Sequence, residues 1–146
     1  GRKAAWAWLA ALCLVGLVVL LQLRWQAQLV ALASVALVAA YPFMKRITWW
    51  PQAWLGLTFN WGALVGWAAV TGTLPLPALL LYAAGVFWTL GYDTVYALQD
   101  IEDDVLAGVK SSARRLGDAA RPGIAAFYLI AGLLMLGLSL ILRFAL

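Results

Sequence analysis

The chain contains no histidine and a single cysteine. Without imidazole, a His-ligated metal site and Ser-His nucleophilic catalysis are both excluded, and any metal must be held by oxygen. Cys13 has no partner for a disulfide, and its setting in a Leu/Val run reads as a small buried hydrophobe. Charge is scarce too. Only 11% of the 146 residues are charged, against 66% hydrophobic, whereas soluble domains run near about 25% charged and about 45–50% apolar. A core of this size cannot hide that excess, so the solvent is lipid. The net charge of +4 comes from basic residues scattered between apolar runs. That is not the footprint of a nucleic-acid binder.

Five apolar segments are predicted to span the bilayer. The first covers about Ala4 to Leu23, too long for a signal peptide and without a convincing cleavage site. A polar break at Arg24 to Gln28 follows. The second segment, Leu29 to Ala40, continues through Tyr41 and Phe43 with an irregularity at Pro42, and Lys45 and Arg46 close it. The third runs from Pro51 to Thr71. Its Gly62 and Gly66, four apart, read as a helix-packing face, and its central Asn60 reads equally as packing or as function. The fourth runs from Pro77 to Gln99, and the fifth from Pro122 to Leu146. Between these two lies the one long polar connection, Asp100 to Arg121. The chain begins at Gly1 rather than Met, so it is expected to be a piece of a longer protein.

If the five segments alternate across the membrane, Arg2, Lys3, Lys45, Arg46, Lys110, Arg114, Arg115 and Arg121 share one side and Arg24 and Arg143 the other. The richer side is predicted to be cytoplasmic, and the natural setting would be a bacterial inner (plasma) membrane. The same alternation brings the Lys45–Arg46 connection to the end where the acids gather.

The acids are concentrated. Five of the six fall between Asp93 and Asp104, namely Asp93, Asp100, Glu102, Asp103 and Asp104. On a continuous helix, at about 100° per residue, Asp93, Asp100 and Asp104 lie within roughly 40° of one another and Glu102 points away. Tyr96 flanks the same stripe. Like charges on one stripe repel unless a cation lies between them. Carboxylates alone suit Mg²⁺, which takes one or two of them and leaves its other positions to water and phosphate. Lys110, Arg114, Arg115, Lys45 and Arg46 would then hold the phosphates. The alternative is a solvated acidic loop with ordinary positive anchors. Ser111 to Gly117 reads as a short helix with a Ser cap and a Gly stop.

The stretch Tyr92-Asp93-Thr94-Val95-Tyr96-Ala97, then Asp100 to Asp104, Gly108 to Ala113 and Gly117, resembles the second aspartate-rich motif of the UbiA-type intramembrane prenyltransferases. Tyr41 to Thr48, with Pro51-Gln52, Leu55-Gly56 and Phe59 to Gly62, resembles another signature of the branch that acts on 4-hydroxybenzoate. The resemblance implies an all-α membrane protein, of whose nine-helix bundle these five helices would be a central fragment. It implies Mg²⁺-dependent transfer of a polyprenyl chain from polyprenyl diphosphate to 4-hydroxybenzoate in ubiquinone biosynthesis. Asp100 and Asp104 match the metal-binding pair. Asp93, Lys45 and Lys110 become candidate catalytic residues, and Tyr41, Arg46, Asn60, Tyr96 and Arg114 candidate substrate contacts. The family's first aspartate-rich motif is absent, so the chain would be inactive alone. Prenyl transfer to another quinone, haem or chlorophyll precursor, and a non-enzymatic scaffold or transporter, are the other readings.

Overall fold

A computed structural model describes residues 1–145 of the chain. Among them there are helices and connections and no strand: α1 (Arg2–Leu21), α2 (Trp25–Ile47), α3 (Pro51–Phe59), α4 (Trp61–Thr71), α5 (Leu76–Gln99), α6 (Ile101–Leu106), α7 (Ser112–Leu116) and α8 (Ala120–Ala145). Five stretches are long and apolar enough to cross a membrane, with α3 and α4 together making one of them. The protein is an integral, all-α membrane protein.

The punctuation follows local chemistry. Pro51 opens α3 in its first turn, where the missing N–H is no loss. Gly72, at φ 74°, ends α4 in the left-handed conformation that glycine adopts without strain. Two differences from the sequence reading concern breaks. The polar residues after Arg24 do not interrupt the chain but start α2, and Pro42 sits inside that helix. Its ring removes the donor that would have met the Val38 carbonyl, without stopping the helix. Conversely, the third span is broken at Asn60, with φ −86° and ψ −1°. The long polar connection after Asp100 also carries structure, namely α6, α7 and a 3₁₀ turn at Gly117–Ala119.

Helix α5 is the centre of the bundle. It packs against α8, α3, α4 and α7, while α2 packs against α3 and α4. Its buried residues are mostly small: Ala78, Ala84, Thr89, Leu90, Gly91, Thr94 and Ala97. Small side chains let backbones approach, which is how helices associate when lipid supplies no hydrophobic drive. A Cβ built on Gly56 would lie 2.9 Å from the Val86 carbonyl oxygen, and one on Gly91 would lie 3.0 Å from the Tyr128 ring. Indoles fasten the bundle further. Trp54 and Trp61 donate their ring N–H to the Leu37 and Val30 carbonyls of α2, at 2.9 and 2.7 Å.

Two expectations about packing are corrected. Gly62 and Gly66 do not meet another helix of this chain, since a Cβ on either finds nothing within 4 Å. They line an open groove with Trp67 and Leu81. Cys13 is exposed rather than buried, because α1 buries none of its residues.

Candidate active site

At one end of the bundle the C-terminal end of α2 meets the start of α3, the end of α5 and the α6–α7 connection. The two loops are joined directly: the Lys110 backbone N–H donates to the Lys45 carbonyl at 2.8 Å. The convergence predicted from alternating spans is therefore present.

A small cavity of about 80 Å³ opens here, lined by Tyr41, Lys45, Pro51, Gln52, Asp93, Tyr96, Ala97, Asp100 and Asp104. Three of the five clustered acids face it, and Glu102 and Asp103 do not. The stripe survives even though the helix does not run straight through. Asp100 bends the chain, with φ −98° and ψ 9°, ending α5 and capping α6. The Asp104 N–H still donates to the Asp100 carbonyl at 2.8 Å, so the helical offset is kept across the bend. Asp93 is half-buried, two turns deeper into the span, whereas Asp100 is exposed at the mouth.

The sequence-predicted residues divide into two groups. Tyr41, Lys45, Asp93, Tyr96, Asp100 and Asp104 are brought together in the cavity. Arg46, Asn60, Lys110 and Arg114 are not among its lining residues. Arg46 is exposed on the last turn of α2. The Asn60 amide donates to the Thr89 hydroxyl at 2.8 Å and to the Gly56 carbonyl at 2.9 Å, and it leaves so little space that a Cβ on Gly85 would collide with its Oδ1. It is a packing amide between α3 and α5. The Lys110 ammonium donates to the Ile47 carbonyl at 3.2 Å and lies 5.7 Å from the centre of the Trp49 ring.

Arg114 is turned inward on its own loop. Its guanidinium donates to the Asp104 carbonyl at 3.3 Å and to the Val109 carbonyl, and stands 5.5 Å from the same indole. It thus ties down the end of α6 that carries Asp104. The short helix α7 starts as predicted. Ser111 Oγ accepts from the Arg114 N–H at 3.4 Å, and Gly117, at φ 53°, follows its last residue.

Beneath the cavity lies a buried polar network. The hydroxyls of Thr94 and Ser112 are 2.7 Å apart, Thr94 also donates to the Leu90 carbonyl at 2.6 Å, and the Ser112 N–H donates to Gln52 Oε1 at 2.9 Å. These bonds clamp α7 to α5 and α3. Sequence reasoning missed Gln52 as a site residue, although it stands directly after the Pro51 helix start on the loop already tied to the acids.

Among the described residues, no three carboxylates stand close enough to hold one ion by themselves. The donor set still fits a hard cation. It is all oxygen, and a pair such as Asp100 and Asp104 leaves positions open for water and phosphate, as Mg²⁺ requires. The cavity is lined mainly by polar side chains, which suits a polar group such as a phosphate rather than a hydrocarbon chain.

Residues 1–146 match the model of the UbiA prenyltransferase family. An Aedes aegypti protein named 4-hydroxybenzoate polyprenyltransferase, mitochondrial, is 50% identical over 137 residues, covering 92% of this chain and 31% of the relative. An Arabidopsis thaliana protein of the same name is 55% identical over 115 residues, 78% of this chain and 28% of the relative. A Lithospermum erythrorhizon protein named 4-hydroxybenzoate geranyltransferase 2 is 48% identical, covering 92% of this chain and 44% of the relative. The chain thus spans less than half the length of each. No solved structure matches it.

Proposed function

Because the chain belongs to the UbiA prenyltransferase family, we propose that the protein carrying it transfers a polyprenyl chain from polyprenyl diphosphate to 4-hydroxybenzoate. The observation that carries this reading is the joining of Asp93, Asp100 and Asp104 with Lys45 and Tyr41 around one polar cavity at the end of an apolar bundle. The names of relatives at about 50% identity support the choice of acceptor.

Asp100 and Asp104 would hold Mg²⁺, which when bound neutralises a diphosphate and improves it as a leaving group. The Lys45 ammonium, in the same cavity, binds the diphosphate oxygens and stabilises the charge that grows as the allylic carbon–oxygen bond breaks. The hydrocarbon stays in the apolar part of the membrane span, away from water that would trap the cation. The ring carbon then attacks, a carbon–carbon bond forms, and the displaced ring proton must leave. Asp93, which lines the cavity, is the carboxylate we assign to take it. It lies about 10 Å further along the helix from Asp100, half-buried within an apolar span, where a carboxylate is costly unless it has a use.

Eight basic residues on the cavity side against two on the other support a cytoplasm-like side for the site. The bacterial plasma membrane expected from the sequence has no support in the relatives' names, since the Aedes and Arabidopsis proteins are both named mitochondrial.

The reading is tested by incubating the full-length protein in membranes with polyprenyl diphosphate, 4-hydroxybenzoate and Mg²⁺. A prenylated hydroxybenzoate with equimolar diphosphate is expected. Diphosphate released without a prenylated aromatic product would contradict the acceptor assignment.

A further inference from the structure

Gln52 is almost completely buried, at 4% exposure, yet it lines the carboxylate cavity. Its amide cannot be turned around. The Ser112 backbone N–H can only donate, so the oxygen of the Gln52 amide must face it, at 2.9 Å. The nitrogen is thereby fixed at the other end. Among the described residues this Nε2 has no hydrogen-bond partner, and it does not count among the fully enclosed orphan atoms. It is therefore not sealed inside the bundle, and the cavity that Gln52 lines is the open space beside it. Held in this way, the amide offers two donors to whatever occupies the cavity.

We propose that Gln52 is a substrate-binding residue, whose side-chain N–H₂ donates to an anionic oxygen in the cavity, either of a phosphate or of an aromatic carboxylate. This rests on the function proposed above. The logic is one of charge. Asp93, Asp100 and Asp104 make the cavity a poor place for an anion, and Lys45 is the one basic side chain lining it. A neutral donor held rigidly by α7 attracts an oxygen without forming an ion pair with the acids, and would leave them free for a cation. The network through Thr94 and Ser112, both fully buried, then serves to aim this amide as well as to hold α7.

The decisive variant is Gln52→Glu in the full-length protein. A carboxylate still accepts from the Ser112 N–H, so the clamp on α7 is kept, while the cavity-facing donor is replaced by an anionic oxygen. Gln52→Met, of similar length, removes donor and acceptor together and serves as the second variant. KM is measured separately for polyprenyl diphosphate and for 4-hydroxybenzoate, and binding of inorganic diphosphate with Mg²⁺ is measured directly, with thermal stability alongside. Gln52→Glu is expected to raise the KM of one substrate about tenfold or more, with the other KM within about twofold, while the melting temperature falls because a nearly buried fourth carboxylate joins three others.

A rise for polyprenyl diphosphate, with weaker binding of inorganic diphosphate, identifies the phosphate as the contact. A rise for 4-hydroxybenzoate alone identifies the carboxylate. Both KM values within about twofold of wild type, or a change in Gln52→Met confined to stability, would overturn the proposal. If the wild-type protein does not prenylate 4-hydroxybenzoate, the proposed acceptor is wrong. The inorganic-diphosphate arm then decides alone: weaker binding in the variants supports a Gln52 contact, and unchanged binding refutes it.

Discussion

Two polar clusters adjoin helix α5 in an otherwise apolar bundle, and they are resolved in opposite ways. Around Asn60 and Thr89 the Asn60 amide donates to the Gly56 carbonyl and to the Thr89 hydroxyl inside the bundle, and Gly85 is trimmed to hydrogen to make room. Around Asp93, Asp100 and Asp104 the carboxylates face a cavity instead. Polar groups closed on one another hold helices together, while polar groups left open toward a shared space are placed for a ligand. Both clusters look alike as sequence, a few polar letters in an apolar helix. What separates them is whether the neighbouring helix completes their bonds.

That contrast can be broken or sharpened by mutation. The largest effect is expected at the open cluster. Asp100→Ala or Asp104→Ala in the full-length protein should lower prenyl transfer at least about a thousandfold, about 4 kcal/mol of transition-state stabilisation, with little change in melting temperature. The closed cluster should show the reverse. Gly85→Ala drives a methyl into Asn60 Oδ1, which should destabilise the bundle by about 1–3 kcal/mol and shift its thermal unfolding, while the turnover of folded molecules stays near wild type.

Arg114 sharpens the boundary between the two. It bonds the Asp104 carbonyl rather than lining the cavity, so Arg114→Ala should raise the Mg²⁺ concentration needed for half-maximal activity about tenfold, as loss of a supporting partner typically does, with a smaller effect at saturating Mg²⁺. The smallest effect belongs to Glu102. It is exposed and outside the cavity, and Glu102→Gln should change the transfer rate less than about twofold.

Much of this is legible in the sequence. Five spans follow from apolar run length, the cap at Ser111 and stop at Gly117 from their residue types, and the separation of Asp93, Asp100 and Asp104 from Glu102 from helical periodicity alone. The meeting of the two loops follows from alternation across the membrane. Other features depend on tertiary partners and leave no signal in the chain. Lys110 and Arg114 read as phosphate ligands because a basic residue near acids suggests it, but Trp49 and local carbonyls hold both. Asn60 reads equally as packing or function in the sequence, and only Thr89 and Gly85, closing around it, decide for packing. Gly62 and Gly66 read as a packing face, and among the described residues no atom of another helix lies within 4 Å of a Cβ built on either. Gln52 falls within the stretch that resembles the family signature, but a glutamine after a proline carries no periodic or charge signal that assigns it a role. Only the Ser112 N–H that orients it gives it meaning.

The central claim is that Asp100 and Asp104 form an anchored carboxylate pair for a cation that holds diphosphate. Its most direct test is calorimetric binding of inorganic diphosphate to the full-length protein as Mg²⁺ is added. The account predicts saturable, Mg²⁺-dependent binding that survives Glu102→Gln and is lost in the combined Asp100→Asn, Asp104→Asn variant. Binding of equal affinity in that double variant would contradict it.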